Sequence, residues 1–292
     1  MPEKRYVIVT DSNSETPLSI AKQYDVPYVP MPYVLEDQEY YYDLGENTDF
    51  KSFFNKVREG SIPSTSTYPP SYYVDLLTPF LAEGKDVLFI AFSSQLSAAQ
   101  SYVHTAKAQL MEVFPERRIE IFDTKSISGG MAVQVHGALK RYHDGATMDE
   151  VIAWLETASP RANAWFSVDD LDHLKRGGRI SPTVAAIGSL LSIKPVLRIN
   201  KEGCIVPAEK ARGRKKAIRR LAELTIERAQ DPESNIMVIM HADCEADAMH
   251  LKSLIEEKVK FEHIYVQYVG PVIGSHAGPD TIGACFLGVA NE

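Results

Sequence analysis

The stretch DVLFIAFSSQLSAAQSYVHTAKAQLMEV, residues 86–113, decides the fold. Asp86–Ala91 is a short, unbroken apolar run, which reads as a buried strand. Phe92–Leu96 is a polar turn, and Ser97–Val113 carries apolar residues at helical spacing. Working outward, the same unit recurs. Arg5–Thr10 is a β-branched run ending in Asp11-Ser12, with helical spacing over Pro17–Asp25. Arg118–Phe122 ends in Asp123-Thr124 and leads to a helix over Ser128–Tyr142. Strands alternating with helices predict a parallel sheet covered on both faces. In such sheets ligands sit beyond the carboxyl ends of the strands. Those ends carry Asp11-Ser12, Ser93-Ser94 and Asp123-Thr124, so polar groups converge on one edge.

Between these units the pattern is weaker. Val26–Leu35 is extended but interrupted by prolines, which predicts an edge strand or loop. Helices are expected over Asp49–Glu59, Ser71–Glu83 and Thr147–Ala158. After Ala164–Ser167, a strand, the order changes. A helical turn covers Leu171–Lys175, and Pro182–Leu191 reads as an apolar helix. Ile193–Ile199 and Cys204–Ala208, joined through Gly203, read as a hairpin. A basic helix (Arg214–Gln230), strands over Asn235–His241, His263–Val269 and Ala284–Gly288, and a helix over Glu245–Lys258 follow. A hairpin inside an alternating pattern implies a second, mixed α/β domain. The expected division is residues 1–161 and 162–292, with a ligand site between the two.

Composition narrows the function. The chain has 292 residues, 45% hydrophobic and 24% charged, which is ordinary for a globular protein of one large or two average domains. A net charge of −8 argues against a general nucleic-acid binder. Three scattered cysteines, Cys204, Cys244 and Cys285, support neither a disulfide framework nor a zinc site, and a reducing cytosol is the simpler setting. The start resembles a strand rather than a signal peptide, and no run approaches the roughly 20 apolar residues that span a membrane. A cytoplasmic protein without stable membrane anchoring is expected.

Each polar motif has a plain reading beside a functional one. Ser64-Thr65-Ser66-Thr67 precedes a helix, where hydroxyls serve as caps, but a cap needs one hydroxyl and the run offers four. In Ser93-Ser94-Gln95-Leu96-Ser97, Ser97 reads as the cap, leaving Ser93 and Ser94 to face a ligand at a helix start that favours anions. His276 lies between Gly274 and Gly278, which reads as a loop permitting close backbone approach. No G-x-S-x-G elbow, Walker loop or G-x-G-x-x-G is present. Two basic stretches, Lys175–Arg179 and Lys210–Lys216, are either solvated faces or docking surfaces for an acidic or phosphate-bearing partner.

Taken in order, these motifs resemble the DegV family of fatty-acid-binding proteins, which includes the FakB carrier subunits of bacterial fatty acid kinase. The resemblance runs from Thr10-Asp11-Ser12 through Ser64-Thr65-Ser66, Ser93–Ser97, LDHLKRGGRIS (171–181) and LLSIKPVL (190–197) to Gly274–Pro279. It implies two α/β domains with an acyl chain buried between them and no catalysis by the chain itself. By resemblance Thr65 and Ser94 bind the carboxylate, with Ser66, Ser93 and His276 close by. Ile187, Leu190, Leu191 and Ile193 are implied as lining of the acyl tunnel. Arg212 and Arg214 are implied as the surface that docks a separate, ATP-using kinase. No cofactor or metal is implied beyond the fatty acid as ligand. The chain departs from the family pattern at Thr67-Tyr68, at Ala98-Ala99 and at Asp280. The rival from another class is an acyl hydrolase or transferase using Ser94 with His276 as base, which would need an acid to orient the histidine.

Overall fold

A computed structural model describes residues 5–181 and 193–291 of the chain. Elements below are numbered in chain order. Strands β1 (Tyr6–Asp11), β2 (Tyr28–Val29), β6 (Asp86–Ala91) and β7 (Ile119–Asp123) form a wholly parallel sheet in the order β2-β1-β6-β7. Burial explains the apolar run of β6, since Val87, Leu88 and Ile90 are completely enclosed. Helices α3 (Pro70–Ala82), α4 (Ala99–Val113), α5 (Ser128–His143) and α6 (Met148–Ala158) belong to this half. Thr147 starts α6 through a reciprocal bond pair with Glu150, a capping box.

The proline-broken segment is a strand after all. β3 (Met31–Leu35) is the middle member of a small antiparallel sheet, with β4 (Gln38–Tyr42) on one side and β5 (Ser64–Thr65) on the other. Helix α2 (Phe50–Arg58) packs beside it, with Phe53 and Phe54 buried.

The second half is a six-stranded mixed sheet. Its order is β10 (Ile205–Arg212), β9 (Ile193–Ile199), β8 (Ala162–Ser167), β13 (Ile282–Leu287), β11 (Ile236–His241), β12 (His263–Tyr268). Only the β11–β12 pair is parallel. The expected hairpin is β9–β10, although β10 runs on to Arg212 past a register shift between Pro207 and Glu209. The molecule thus has a parallel-sheet α/β domain followed by a mixed-sheet one.

One face of the mixed sheet holds its own core against α8 (Arg214–Arg228) and α9 (Glu245–Glu256). Its other face joins the core of the first half through α5. Two glycines permit that contact. A Cβ on Gly129 would lie 2.9 Å from the Cβ of Cys285, and one on Gly130 would lie 2.9 Å from the Cβ of Ala164. The start of α5 therefore lies directly on the second sheet, and a cavity opens beside it.

Candidate functional site

β5 is only two residues long, and its pairing of Thr65 with Tyr33 of β3 fixes where the Thr65 hydroxyl stands. Thr65 Oγ1 lies 2.8 Å from Nε2 of His276. His276 is not in a loop. It occupies the last turn of α10 (Pro271–Ala277), which opens on Pro271 and ends at Gly278, where φ is +78°. The glycines that made the segment look like a loop serve packing and termination instead. Gly274 sits against Phe53 and Phe54, and Gly278 supplies the left-handed residue past the helix end.

Burial lowers the His276 pKa to about 4, and the Arg179 charge pushes in the same direction. The imidazole is therefore neutral near pH 7. Its Nδ1 is buried without a partner and faces Gly177, where a Cβ would come within 2.2 Å.

Thr65 and His276 belong to the wall of a cavity with about 890 Å³ of empty space, its solvent-facing part included. Phe92, Leu96 and Ile127 of the first domain line it, opposite Leu174, Ile205, Met240 and Val272 of the second. The apolar wall is interrupted at a polar corner made by Thr65, Ser66, Ser97, Arg179 and His276, and elsewhere by Asn13, Ser128 and Thr281. Arg179 Nε donates to the Leu96 carbonyl at 3.1 Å, beside Ser97, and another guanidinium nitrogen donates to the Gly177 carbonyl. Among the described residues the wall contains Arg179 as its charged cation and no carboxylate.

The serines after β6 are arranged differently from expectation. Ser93 is completely buried, and its hydroxyl donates to the Gly203 carbonyl at 2.8 Å, clasping the β9–β10 turn. Ser94 is exposed, and its hydroxyl donates to Asp123 Oδ2 at 2.7 Å. Neither hydroxyl is free, and neither residue lines the cavity. Ser97 does line it, while also accepting from the Ala99 N–H at the start of α4. The turn between strand and helix accounts for the exchange, because Asp123 on the neighbouring strand captures the first exposed hydroxyl.

Ile187, Leu190 and Leu191 lie outside the described residues. Ile193 opens β9 opposite Arg212 and is not part of the described cavity wall. Arg212 is exposed. Arg214 is not available to a partner, since its guanidinium binds Asp247 at 2.7 Å, the Cys244 sulfur at 3.1 Å and the Asp280 carbonyl. Asp280 is also engaged, its carboxylate paired with Arg58 at 3.1 Å. Besides Ser97, read only as a cap, the cavity-wall residue that the sequence reading did not single out is Arg179. Its neighbours Lys175 and Arg176 made it look like one member of a surface charge run, and nothing in the spacing singled it out.

This arrangement defines a class: a two-domain α/β protein whose halves enclose an apolar cavity with a cationic, hydroxyl-rich corner. Comparison with known proteins agrees. The family described as "Uncharacterised protein, DegV family" matches residues 5–288, and the chain belongs to the DegV family. A DegV domain-containing protein of Clostridium perfringens is 39% identical over 289 residues, covering 99% of each chain. A solved DegV family protein from Thermus thermophilus, titled for fatty acid binding, superposes with a TM-score of 0.87 at 30% identity. That match covers 98% of this chain and 100% of the other. DegV of Bacillus subtilis, titled a fatty acid binding protein, gives 0.83 at 30% identity over the same shares.

Proposed function

We propose that this chain binds one long-chain fatty acid, with the acyl tail in the cavity and the carboxylate at Thr65, Ser66, Ser97, Arg179 and His276. The observation that carries this reading is the apolar wall with a single cationic corner. Burying a long saturated tail gains roughly 0.8 kcal/mol per methylene, on the order of 10 kcal/mol gross for a common chain. A carboxylate cannot be buried unpaired, and Arg179 answers that need together with hydroxyl donors and the neutral imidazole. Arg179 adds a cation to the hydroxyls and the histidine that the resemblance implied. The fatty acid binding for which the two solved relatives are named supports the same ligand class.

A carrier that presents the carboxylate to a separate kinase fits the same geometry. The exposed cations Arg212, Lys215, Lys216 and Arg219 offer a docking face, with Arg214 behind it as a structural anchor. The hydrolase reading has less support. His276 bonds Thr65, Ser94 bonds Asp123, and among the described residues no acid orients His276 Nδ1.

The test is direct. Protein purified under native conditions and then denatured should release about one equivalent of fatty acid by mass spectrometry. Release of no lipid, together with no uptake of added fatty acid, would sink the reading.

A further inference from the structure

The cavity wall has a second polar feature that a plain hydrocarbon chain leaves unanswered. Asn13 lines the cavity and is only 4% exposed, and its Oδ1 is buried with no hydrogen-bond partner among the described residues. Its backbone N–H is already used, donating to Asp11 Oδ1 at 2.9 Å. Ser128, also in the wall, donates its hydroxyl to Glu15, two residues beyond Asn13. These groups sit on the turn after β1 and at the start of α5, whereas Thr65 and His276 sit on β5 and α10. A buried carboxamide oxygen without a partner is a costly fault, and native interiors rarely keep one without use.

We infer that the bound acyl chain carries a hydroxyl group, which Asn13 receives with Ser128 close by. This rests on the reading of the cavity as a fatty-acid site. A hydroxyl both donates and accepts, so it satisfies the carboxamide whichever way its oxygen and nitrogen are turned. A second carboxylate is the wrong group here. Asp11 and Glu15 flank Asn13, both are buried, and neither is paired with a cation among the described residues. A second anionic group there would meet two acids and, among the described residues, no counter-charge paired with them. A neutral donor fits; a methylene leaves Oδ1 orphaned.

The experiment is a competition on delipidated full-length protein, read by native mass spectrometry. Stearic acid competes with each positional isomer of monohydroxystearic acid. At least one isomer is expected to bind about tenfold more tightly than stearic acid, the worth of one buried hydrogen bond. Asn13→Leu should abolish that preference while stearic acid still binds. The inference is overturned if stearic acid matches or beats every isomer on the wild-type protein. It is equally overturned if Asn13→Leu folds and keeps the hydroxyl preference. Failure of the wild-type protein to bind any fatty acid would instead remove the underlying reading, so the two failures are distinguishable.

Discussion

At the scale of single residues, two buried acids near the cavity set the chain's response to pH. Glu15 accepts from the Ser128 hydroxyl and the Gly270 N–H, yet burial raises its pKa to about 8. Asp11 accepts from Asn13, and burial raises it to about 7. Both folded values lie above the unfolded ones, so the protonated forms favour the folded state. Their contribution is fully present below about pH 4 and is lost as pH rises through 7 to 8. His276 works in the other direction, because its lowered value means the folded state resists protonation as pH falls toward 4. The thermal midpoint should therefore decline from about pH 5 to about pH 8, most steeply above about pH 6.5 where His276 no longer opposes it, and level off beyond. Glu15→Gln, which keeps the shape and removes the charge, should flatten that decline. A calorimetric pH series on both proteins checks it, and an unchanged slope in the variant would contradict the assignment. Little of this was readable beforehand. The Thr10-Asp11-Ser12 motif pointed to the right turn, but nothing local to Glu15 says that its carboxyl is enclosed by residues 128 and 270.

At the scale of elements, the placement of His276 depends on how α10 meets the short helix α7 (Asp172–Arg176). Gly177 ends α7 in ordinary right-handed geometry, so its backbone would accept alanine. The obstacle is the imidazole, 2.2 Å from where the methyl would stand. Gly177→Ala should push His276 off Thr65 and weaken fatty-acid binding about tenfold or more, the worth of a charge-assisted contact. Gly178→Ala is the control. Nothing lies within 4 Å of its added methyl, but its φ of +70° imposes backbone strain of about 1 kcal/mol. It should lower stability and leave affinity alone. Titration calorimetry beside thermal melts separates the two outcomes, and equal affinities for both variants would show that α7 does not position the histidine. Elements with strong local patterning were legible here. β6, α5 and α8 fall within a few residues of where their apolar periods put them. The β3–β4–β5 sheet was not, because prolines masked β3, β4 opens on the polar pair Gln38-Glu39, and β5 is two residues that only tertiary pairing makes a strand. Helix α10 was missed because its glycines answer to Phe54 and to helix termination, which are matters of packing.

At the scale of the whole molecule, the two domains enclose the cavity, and on the proposed function the contacts between them govern how readily a long ligand enters or leaves. Several contacts hold them together. Phe50 stacks on Tyr268 with ring centroids 4.6 Å apart, Ser93 clasps Gly203, and Gly270 binds Glu15. Arg58, the last residue of α2, bonds Asp243 at 2.5 Å and Asp280 at 3.1 Å. The two-domain plan could be read from the change in strand order. This bridge could not, since its partners are more than 180 residues apart in sequence. It also gives Asp280 a role that its departure from the family pattern did not reveal. The pairs are partly exposed, so their stabilisation is modest, about 1 kcal/mol or less. Their leverage on opening should be larger than their leverage on unfolding, because Arg58→Ala removes the cation that ties Asp243 and Asp280 of the second domain to α2 of the first. The expected result is a thermal midpoint lower by about 2–4 °C and a several-fold faster release of bound fatty acid to acceptor vesicles. Raising the salt concentration should shrink the difference between variant and wild type, as screening weakens the ion pairs in the parent. If Arg58→Ala released ligand at the parent rate at low salt, the ionic bridge would be a decoration of the surface, and the gate would have to lie with the buried contacts at Glu15 and Ser93.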